Sequence, residues 1–229
     1  MKYVIEIGDR PSLPVDGSDA RFPVGRIYCV GRNYAEHARE MGHDPDREPP
    51  FFFMKPADAI VTDGGDFGYP SHSRDVHHEL ELVVALGSGG SAVPASRALD
   101  LVYGYAVGLD MTRRDLQGEA KKMGRPWDTG KAFDGSAPCS SIRRASEIGH
   151  PTKGAVWLEV NGTSRQRGDL SQLIWKIPEM IAYLSKLITL KAGDIIMSGT
   201  PAGVGPVKAG DKLEGHVDGV GDLTVSYSK

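Results

Sequence analysis

The sequence has almost no cysteine: Cys29 and Cys139 are the only two among 229 residues. That is a poor disulfide framework for a chain of this length, and no Cys-x-x-Cys pair is present to suggest thiol exchange or a thiolate metal site. Both are expected to be free thiols of a cytoplasmic protein. A long apolar run is also missing, so no segment suited to crossing a bilayer is expected. The start, MKYVIEIGDR, alternates over a short stretch and lacks the apolar block and cleavage site of a signal peptide. There is no excess of one charge. A formal net charge of −3 and a pI near 6.2 leave no basic field for nucleic acid or an anionic membrane. No internal repeat is found.

What is present is a series of short strand-like stretches punctuated by glycine and proline. KYVIEI reads as a first strand, and the Pro/Gly/Asp-rich GDRPSLPVDGSDARFPVG as a connection. RIYCVG and FFFMKP are short apolar strands, and RNYAEHAREMG between them is a short helix that Gly42 stops. DAIVTDGGDFGYPSHSRDV holds too many breakers for a central strand and reads as loop. PASRALDLV is a short helix, YGYAVGLD a strand, MTRRDLQGEAKKMG a helix ending near Gly124, and RPWDTGKAFDGSAP a loop. AVWLEVNGTSRQ is a hairpin with Asn161-Gly162 as its tight turn. PEMIAYLSKLITL is the clearest helix, with Pro178 at its start and an apolar stripe of Ile181, Leu184, Leu187 and Ile188. GDIIMSGTPAGVG is a strand running into a glycine-rich turn. Strand and helix do not alternate regularly, which excludes a Rossmann or TIM layout. The expectation is an α+β domain on a folded mixed sheet. Residues 1–20 form a short extension with one strand, and 21–229 the main domain.

The stretch HHELELVVALG, from His77, carries the chemistry. As a strand it puts Leu80, Leu82, Val84 and Leu86 on one face and Glu79, Glu81, Val83 and Ala85 on the other. Two carboxylates then lie roughly 7 Å apart at their Cα atoms on an otherwise apolar face. A cation between them would make that arrangement tolerable; an edge strand with its acids in water is the competing reading. Asp110 is the candidate third ligand. It shares a face with Ala106 and Gly108, whose small size leaves room beside them. Three acids with few nitrogen ligands favour Mg²⁺ or Mn²⁺ over Zn²⁺, with Ca²⁺ another hard ion such oxygens bind.

A second pair is His37 and Glu40, neighbours at i and i+3 on the expected helix. Glu40 could accept a proton from one imidazole nitrogen and leave the other as a base; an incidental surface ion pair has the same spacing. His77 and His78 point to opposite faces of a strand, so they cannot both join the acids and read as structural. SGTPAGVGPVK lacks the Gly-Lys-Ser/Thr ending of a phosphate loop and reads as a turn whose backbone approaches a ligand. A solvated lysine is the default for Lys131.

Taken in order, Gly31-Arg32-Asn33-Tyr34, His37 and Glu40, Lys55-Pro56, Glu79 and Glu81, Gly104-Tyr105 with Asp110, Lys131 in DTGKAFDGSAP, Arg165-Gln166 after the hairpin turn, and GDIIMSGTPAGVGPV resemble the fumarylacetoacetate hydrolase family. The likeness runs from about Arg26 to the end. It implies a mixed β-sandwich or β-roll with short peripheral helices, like that family's C-terminal domain, and a homodimer. It implies a metal triad of Glu79, Glu81 and Asp110, and a catalytic set of His37, Glu40 and Lys131. Arg32, Arg114, Gln117 and Thr200 are expected to hold polar groups of a 2-oxo acid substrate. The short forms of the family act on acylpyruvates, fumarylpyruvate or oxaloacetate, so the expected reaction is hydrolysis of a C–C bond in a 2,4-diketo acid. Fumarylpyruvate, the last intermediate of gentisate breakdown, is the preferred substrate. Acylpyruvate hydrolysis, oxaloacetate decarboxylation or tautomerisation, and hydroxymuconate isomerisation are alternatives on the same site. A metal-binding protein without catalysis would not need His37, Glu40 and Lys131.

Overall fold

The computed structural model describes residues 4–6, 8–40, 48–62 and 66–228. Its centre is a mixed sheet in which Leu80–Leu86 and Val102–Leu109 lie side by side, antiparallel. On one flank follow Asp194–Met197, Arg26–Gly31 and Phe51–Lys55; on the other, Ala137–Cys139 and Ile60–Thr62. Two pairings are parallel, Asp194–Met197 with Arg26–Gly31 and Ala137–Cys139 with Ile60–Thr62. A second, five-stranded sheet contains Thr163–Asp169, Ala155–Val160, Lys212–Val217, Gly221–Ser228 and Asp66–Gly68. The α+β expectation therefore holds. No helix among the described residues is long and apolar enough to cross a membrane.

The central strands are buried on both faces, and two cores result. Leu80, Leu82, Val84 and Leu86 join Tyr105, Val107 and Leu109 and pack with Val156, Leu158, Leu213, Leu223 and Val225 of the second sheet. That is the period-two pattern of the sequence turned into a sandwich. The opposite face carries Val83, Ala85, Ala106, Ile195 and Met197, covered by Leu13, Val15 and Phe22. Truncating a residue such as Leu82, 1% exposed, to alanine costs about 2–5 kcal/mol. Gly108 belongs to this second face. A Cβ there would stand 2.5 Å from Val83 Cγ2 and 3.2 Å from both Cys139 Sγ and Met197 Cε. The room beside Gly108 is therefore taken by core side chains, contrary to the expectation that it was left for a ligand.

Other expectations also need correction. Val4–Glu6 form a bend, not a strand, with Val4 and Ile5 exposed; apolar alternation does not make a strand without a sheet to join. The first strands lie in the stretch expected to be a connection, where Ser12–Val15 and Ser18–Pro23 pair antiparallel. Ile60–Thr62 and Asp66–Gly68 are strands where loop was expected, both at the ends of their sheets, where glycine-rich sequence is tolerated. The loop around Lys131 contains a helical turn, Asp128–Lys131. In the Ile177–Leu187 helix the buried stripe includes Ile177, Met180, Ile181 and Leu184, whereas Leu187, its last residue, is exposed. The turn at Asn161-Gly162 has positive φ at both residues, 52° and 72°, as a type I′ hairpin requires. The helix after Arg26–Gly31 runs Ala35–Glu40; Gly42, its expected stop, lies outside the described residues.

Candidate active site

The register of the two central strands explains why three acids meet. Leu80 is opposite Leu109, and Glu81 opposite Gly108. Continuing outward by one residue sets Glu79 against Asp110, and the Asp110 N–H donates to the Glu79 carbonyl at 2.8 Å. Glu79, Glu81 and Asp110 thus share one face at one end of the pair. One carboxylate oxygen from each can be chosen so that all lie within 4.8 Å of one another, and all three residues are buried.

Buried carboxylates need partners. Lys131 supplies most of them: its ammonium donates to Glu79 Oε2 at 2.8 Å, Asp110 Oδ2 at 2.7 Å and Thr112 Oγ1 at 2.6 Å. It is 2% exposed, so it is not the solvated lysine that a polar loop suggests. Arg114 Nη2 donates to Glu79 Oε1 at 2.5 Å, and its Nη1 to Gln117 Oε1 at 2.8 Å. Lys55 is buried, and its ammonium stands 2.8 Å from Asp110 Oδ1. That contact is an ion pair not aligned as a hydrogen bond, because Oδ1 accepts none; Lys55 donates instead to the Met111 carbonyl at 3.1 Å and to the Lys131 carbonyl. Glu81 differs from its neighbours. It accepts the Gly199 N–H at 2.7 Å, and no cationic side chain of the described residues forms an ion pair with it.

These surroundings separate the two glutamates electrostatically. Burial alone would raise Glu79, but Lys131, Arg114 and His37 hold its carboxyl well below the usual range. Burial, then the charges of Asp110 and Glu79, push Glu81 well above it. Burial opposes the charge on Lys131, and Asp110 and Glu79 more than restore it. The donor set fits a divalent cation: three buried carboxylates of hard oxygen, among them Glu81, with which no cationic side chain of the described residues pairs.

The His37–Glu40 pair meets the acids at the same pocket, which His37 lines. His37 is buried, and its Nδ1 lies 3.3 Å from Glu40 Oε2. Glu40 is itself held by the Gly203 N–H, 3.1 Å from Oε2. Asn33 anchors the helix start: its amide donates to the Ser198 carbonyl at 2.8 Å and its oxygen accepts from Trp175 N at 2.7 Å. Gly199, at φ 100°, brings its backbone so close that a Cβ would stand 2.7 Å from Asn33 Cβ. The glycine-rich turn touches Asn33, Glu81 and Glu40 of the chain, and its Thr200 lines the pocket.

His37, Glu79, Glu81, Asp110, Lys131, Arg32, Arg114, Gln117 and Thr200 all line one pocket; Glu40 is not in its lining and contacts His37. Arg125, which begins a loop, lies on a separate hollow beside Met123 and Asp128. The Thr200 hydroxyl donates to the Leu80 carbonyl at 2.8 Å and accepts from Gln166 Nε2 at 2.7 Å. Gln166 also accepts from Leu80 N at 3.0 Å and meets His78 Nδ1 at 2.9 Å. His78 is buried, and burial lowers its imidazole to about 4. Sequence reasoning did not assign Lys55, Lys121 or Trp127 to the site. Lys55 carried a usable signal: it shares a strand face with Phe51 and Phe53, which line the pocket.

The chain belongs to the fumarylacetoacetate hydrolase family: the family described as Fumarylacetoacetate (FAA) hydrolase C-terminal matches residues 26–226. It is similar to fumarylpyruvate hydrolase from Pseudomonas aeruginosa, solved in complex with Mn²⁺ and pyruvate, at 52% identity and a TM-score of 0.96, covering 99% of each chain. It is 47% identical over 89% of its length to the human mitochondrial oxaloacetate tautomerase, covering 91% of that protein. A more distant likeness, at 34% identity and a TM-score of 0.80, is 5-carboxymethyl-2-hydroxymuconate delta-isomerase from Mycobacterium smegmatis, covering 96% of this chain and 82% of that one. The family is one of enzymes, and its members here include both a hydrolase and isomerising activities.

Proposed function

We propose that this protein hydrolyses a C–C bond in 2,4-diketo acids, and that its substrate is fumarylpyruvate, cleaved to fumarate and pyruvate. The observation that carries this reading is His37. Its ring is buried in the same pocket as the three acids, with Nδ1 held by a glutamate that the backbone in turn holds. With Nδ1–H donating to Glu40, Nε2 is the free lone pair and takes a proton from water. The water oxygen adds to the carbonyl carbon of the fumaryl group. The bond from that carbon to the methylene breaks, its electron pair leaves with the three-carbon fragment, and a proton completes pyruvate. Lys131 carries its charge into a dry site and stabilises the negative charge that develops there. Arg32, Arg114, Gln117 and Thr200 hold the substrate's polar groups. Glu79, Glu81 and Asp110 would hold Mg²⁺ or Mn²⁺, which when bound supplies Lewis-acid polarisation of substrate oxygens.

The likeness to oxaloacetate tautomerase supports a second reading. A proton shift on oxaloacetate needs a base and no attacking water, so the same His37 would serve it. The deciding experiment compares kcat/KM for fumarylpyruvate hydrolysis, read as pyruvate release, with that for oxaloacetate tautomerisation, at one pH and one Mn²⁺ concentration. The hydrolase reading expects the first to be larger by at least about tenfold, or about 1.4 kcal/mol of transition-state binding. A larger value for oxaloacetate would replace it with the second reading.

A further inference from the structure

We propose that Arg32 and Lys121 form a second carboxylate subsite, outside the acid triad, that selects substrates with a distal carboxylate. This rests on the reading of the pocket as a 2-oxo acid site and names what that site discriminates.

Four cationic side chains line the pocket, and two of them are already engaged. Lys131 is bonded to Glu79 and Asp110, and Arg114 to Glu79. Arg32 and Lys121 line the same pocket, yet neither forms an ion pair with a carboxylate of the described residues. Both are held on aromatic faces instead. The Arg32 guanidinium carbon lies 5.3 Å from the centroid of the Phe51 ring, and Lys121 Nζ lies 4.8 Å from that of Trp127. The two rings pack edge to face, with centroids 5.4 Å apart. One aromatic pair thus fixes two cations on one wall. Cation–π contacts orient such groups without neutralising them.

Two more observations point the same way. Arg32 has φ 57°, a left-handed conformation that is uncommon for a side chain of this size. Gly31 beside it has no room for a Cβ, because the Phe51 ring fills that place. The backbone is held in a costly shape to seat Arg32 on that ring. Lys121 is lowered from its ordinary value by desolvation, then by the like charges of Arg114, Arg32 and Lys131. An anion bound between Arg32 and Lys121 relieves that crowding. Four cations facing three acids also leave the walls with surplus positive charge, which a divalent ion at the triad increases. A mono-anionic 2-oxo acid leaves more of that charge uncompensated than a dianionic one.

The test separates this subsite from the hydrolytic reading by measuring binding alone. Calorimetry on the Mn²⁺-loaded protein compares 2-oxoheptanedioate with 2-oxoheptanoate, which has the same length but no distal carboxylate. The wild type should bind the dioate at least about tenfold more tightly, about 1.4 kcal/mol. Lys121→Met and Arg32→Asn, the second chosen because asparagine tolerates positive φ, should each cut that preference by threefold or more. Binding of Mn²⁺ should be unchanged, and binding of the monoacid should fall less than binding of the dioate in both variants. No preference in the wild type, or a preference that survives both substitutions, would overturn the proposal. If the preference holds while fumarylpyruvate is not turned over, the subsite stands and the hydrolase reading falls.

Discussion

Glu79, Asp110 and Lys131 on the pocket wall, and His216, Asp218 and Asp222 on the second sheet, are built from the same parts. Each cluster sets two carboxylates around one basic group. Lys131 meets Glu79 and Asp110 at 2.8 and 2.7 Å; His216 meets Asp218 and Asp222 at 2.9 and 2.6 Å. The contacts are alike and the surroundings are not. Side-chain exposure in the first cluster is 8% or less, whereas Asp218 and Asp222 are 52% and 77% exposed. Water screens the second cluster, so its ion pairs contribute little. In the first, each charge depends on its partner, because an unpaired buried ion is far more costly than the pair is favourable. Buried charge of this kind is weak evidence for stability and better evidence for a site with perturbed, working groups.

The sharpest way to break that contrast is to remove one acid at a time from the buried cluster. Asp110→Asn leaves Lys55 and Lys131 without their shared counter-charge, so it should lower stability by about 3–5 kcal/mol as well as abolish turnover. Glu81→Gln removes a candidate ligand that has no ion pair to lose among the described residues. It should abolish turnover and Mn²⁺ binding while leaving the denaturation midpoint close to wild type. Equal destabilisation by both substitutions, measured in urea, would mean that Glu81 is as tightly paired as Asp110. Full activity of chelator-treated protein would remove the metal reading altogether.

His37→Ala should lower hydrolysis by about 10²–10⁴-fold at saturating Mn²⁺, the usual contribution of a general base. Mn²⁺ affinity should persist, because His37 is not among the three acids. Glu40→Gln should impair the reaction by a smaller factor through the orientation of the ring. A His37 variant that hydrolyses at near the wild-type rate would assign water activation to another group. Selective loss of hydrolysis, with oxaloacetate turnover intact, would show that the two reactions use different proton acceptors.

The acids were legible because a strand has a period of two, and nothing in an apolar face hides a pair of glutamates. The dyad was legible as a spacing, and only the buried position of His37 in the pocket distinguishes it from a surface ion pair. What sequence reasoning lost depended on partners far along the chain. KYVIEI alternates like a strand, but Val4–Glu6 find no sheet to join, while the proline-containing Ser12–Val15 finds Ser18–Pro23. Gly108 read as space for a ligand because the side chains of Val83, Cys139 and Met197 cannot be placed without the register. Lys131 read as solvated because its partners lie 52 and 21 residues away.

Between the two clusters in expected effect lies the backbone that aims the site. Gly199 at φ 100° sends its N–H to Glu81 and leaves no space for a Cβ against Asn33. Gly199→Ala should therefore cost about 1–3 kcal/mol of stability through strain alone, with activity reduced but not abolished. An alanine variant as stable as wild type would mean that the turn can relax around the added methyl.

The smallest effect belongs to the exposed cluster, and its sign is set by linkage. Desolvation lowers the His216 imidazole, but its contacts to Asp222 and Asp218 more than offset this, so it stands above its ordinary value of 6.5. A group raised on folding binds its proton more tightly in the folded state. Its contribution is fully present below the ordinary value and is lost as pH rises through the folded one. His216→Gln should therefore lower Tm slightly at about pH 5.5, and the gap to wild type should close by about pH 9. Added salt should shrink the gap at the lower pH, because the aspartates are exposed. A gap that persists unchanged across this range would place the effect in the stacking of His216 on Trp157, whose ring centroids lie 5.3 Å apart. The charge would then add nothing measurable, and the exposed cluster would be a packing contact that happens to carry ions.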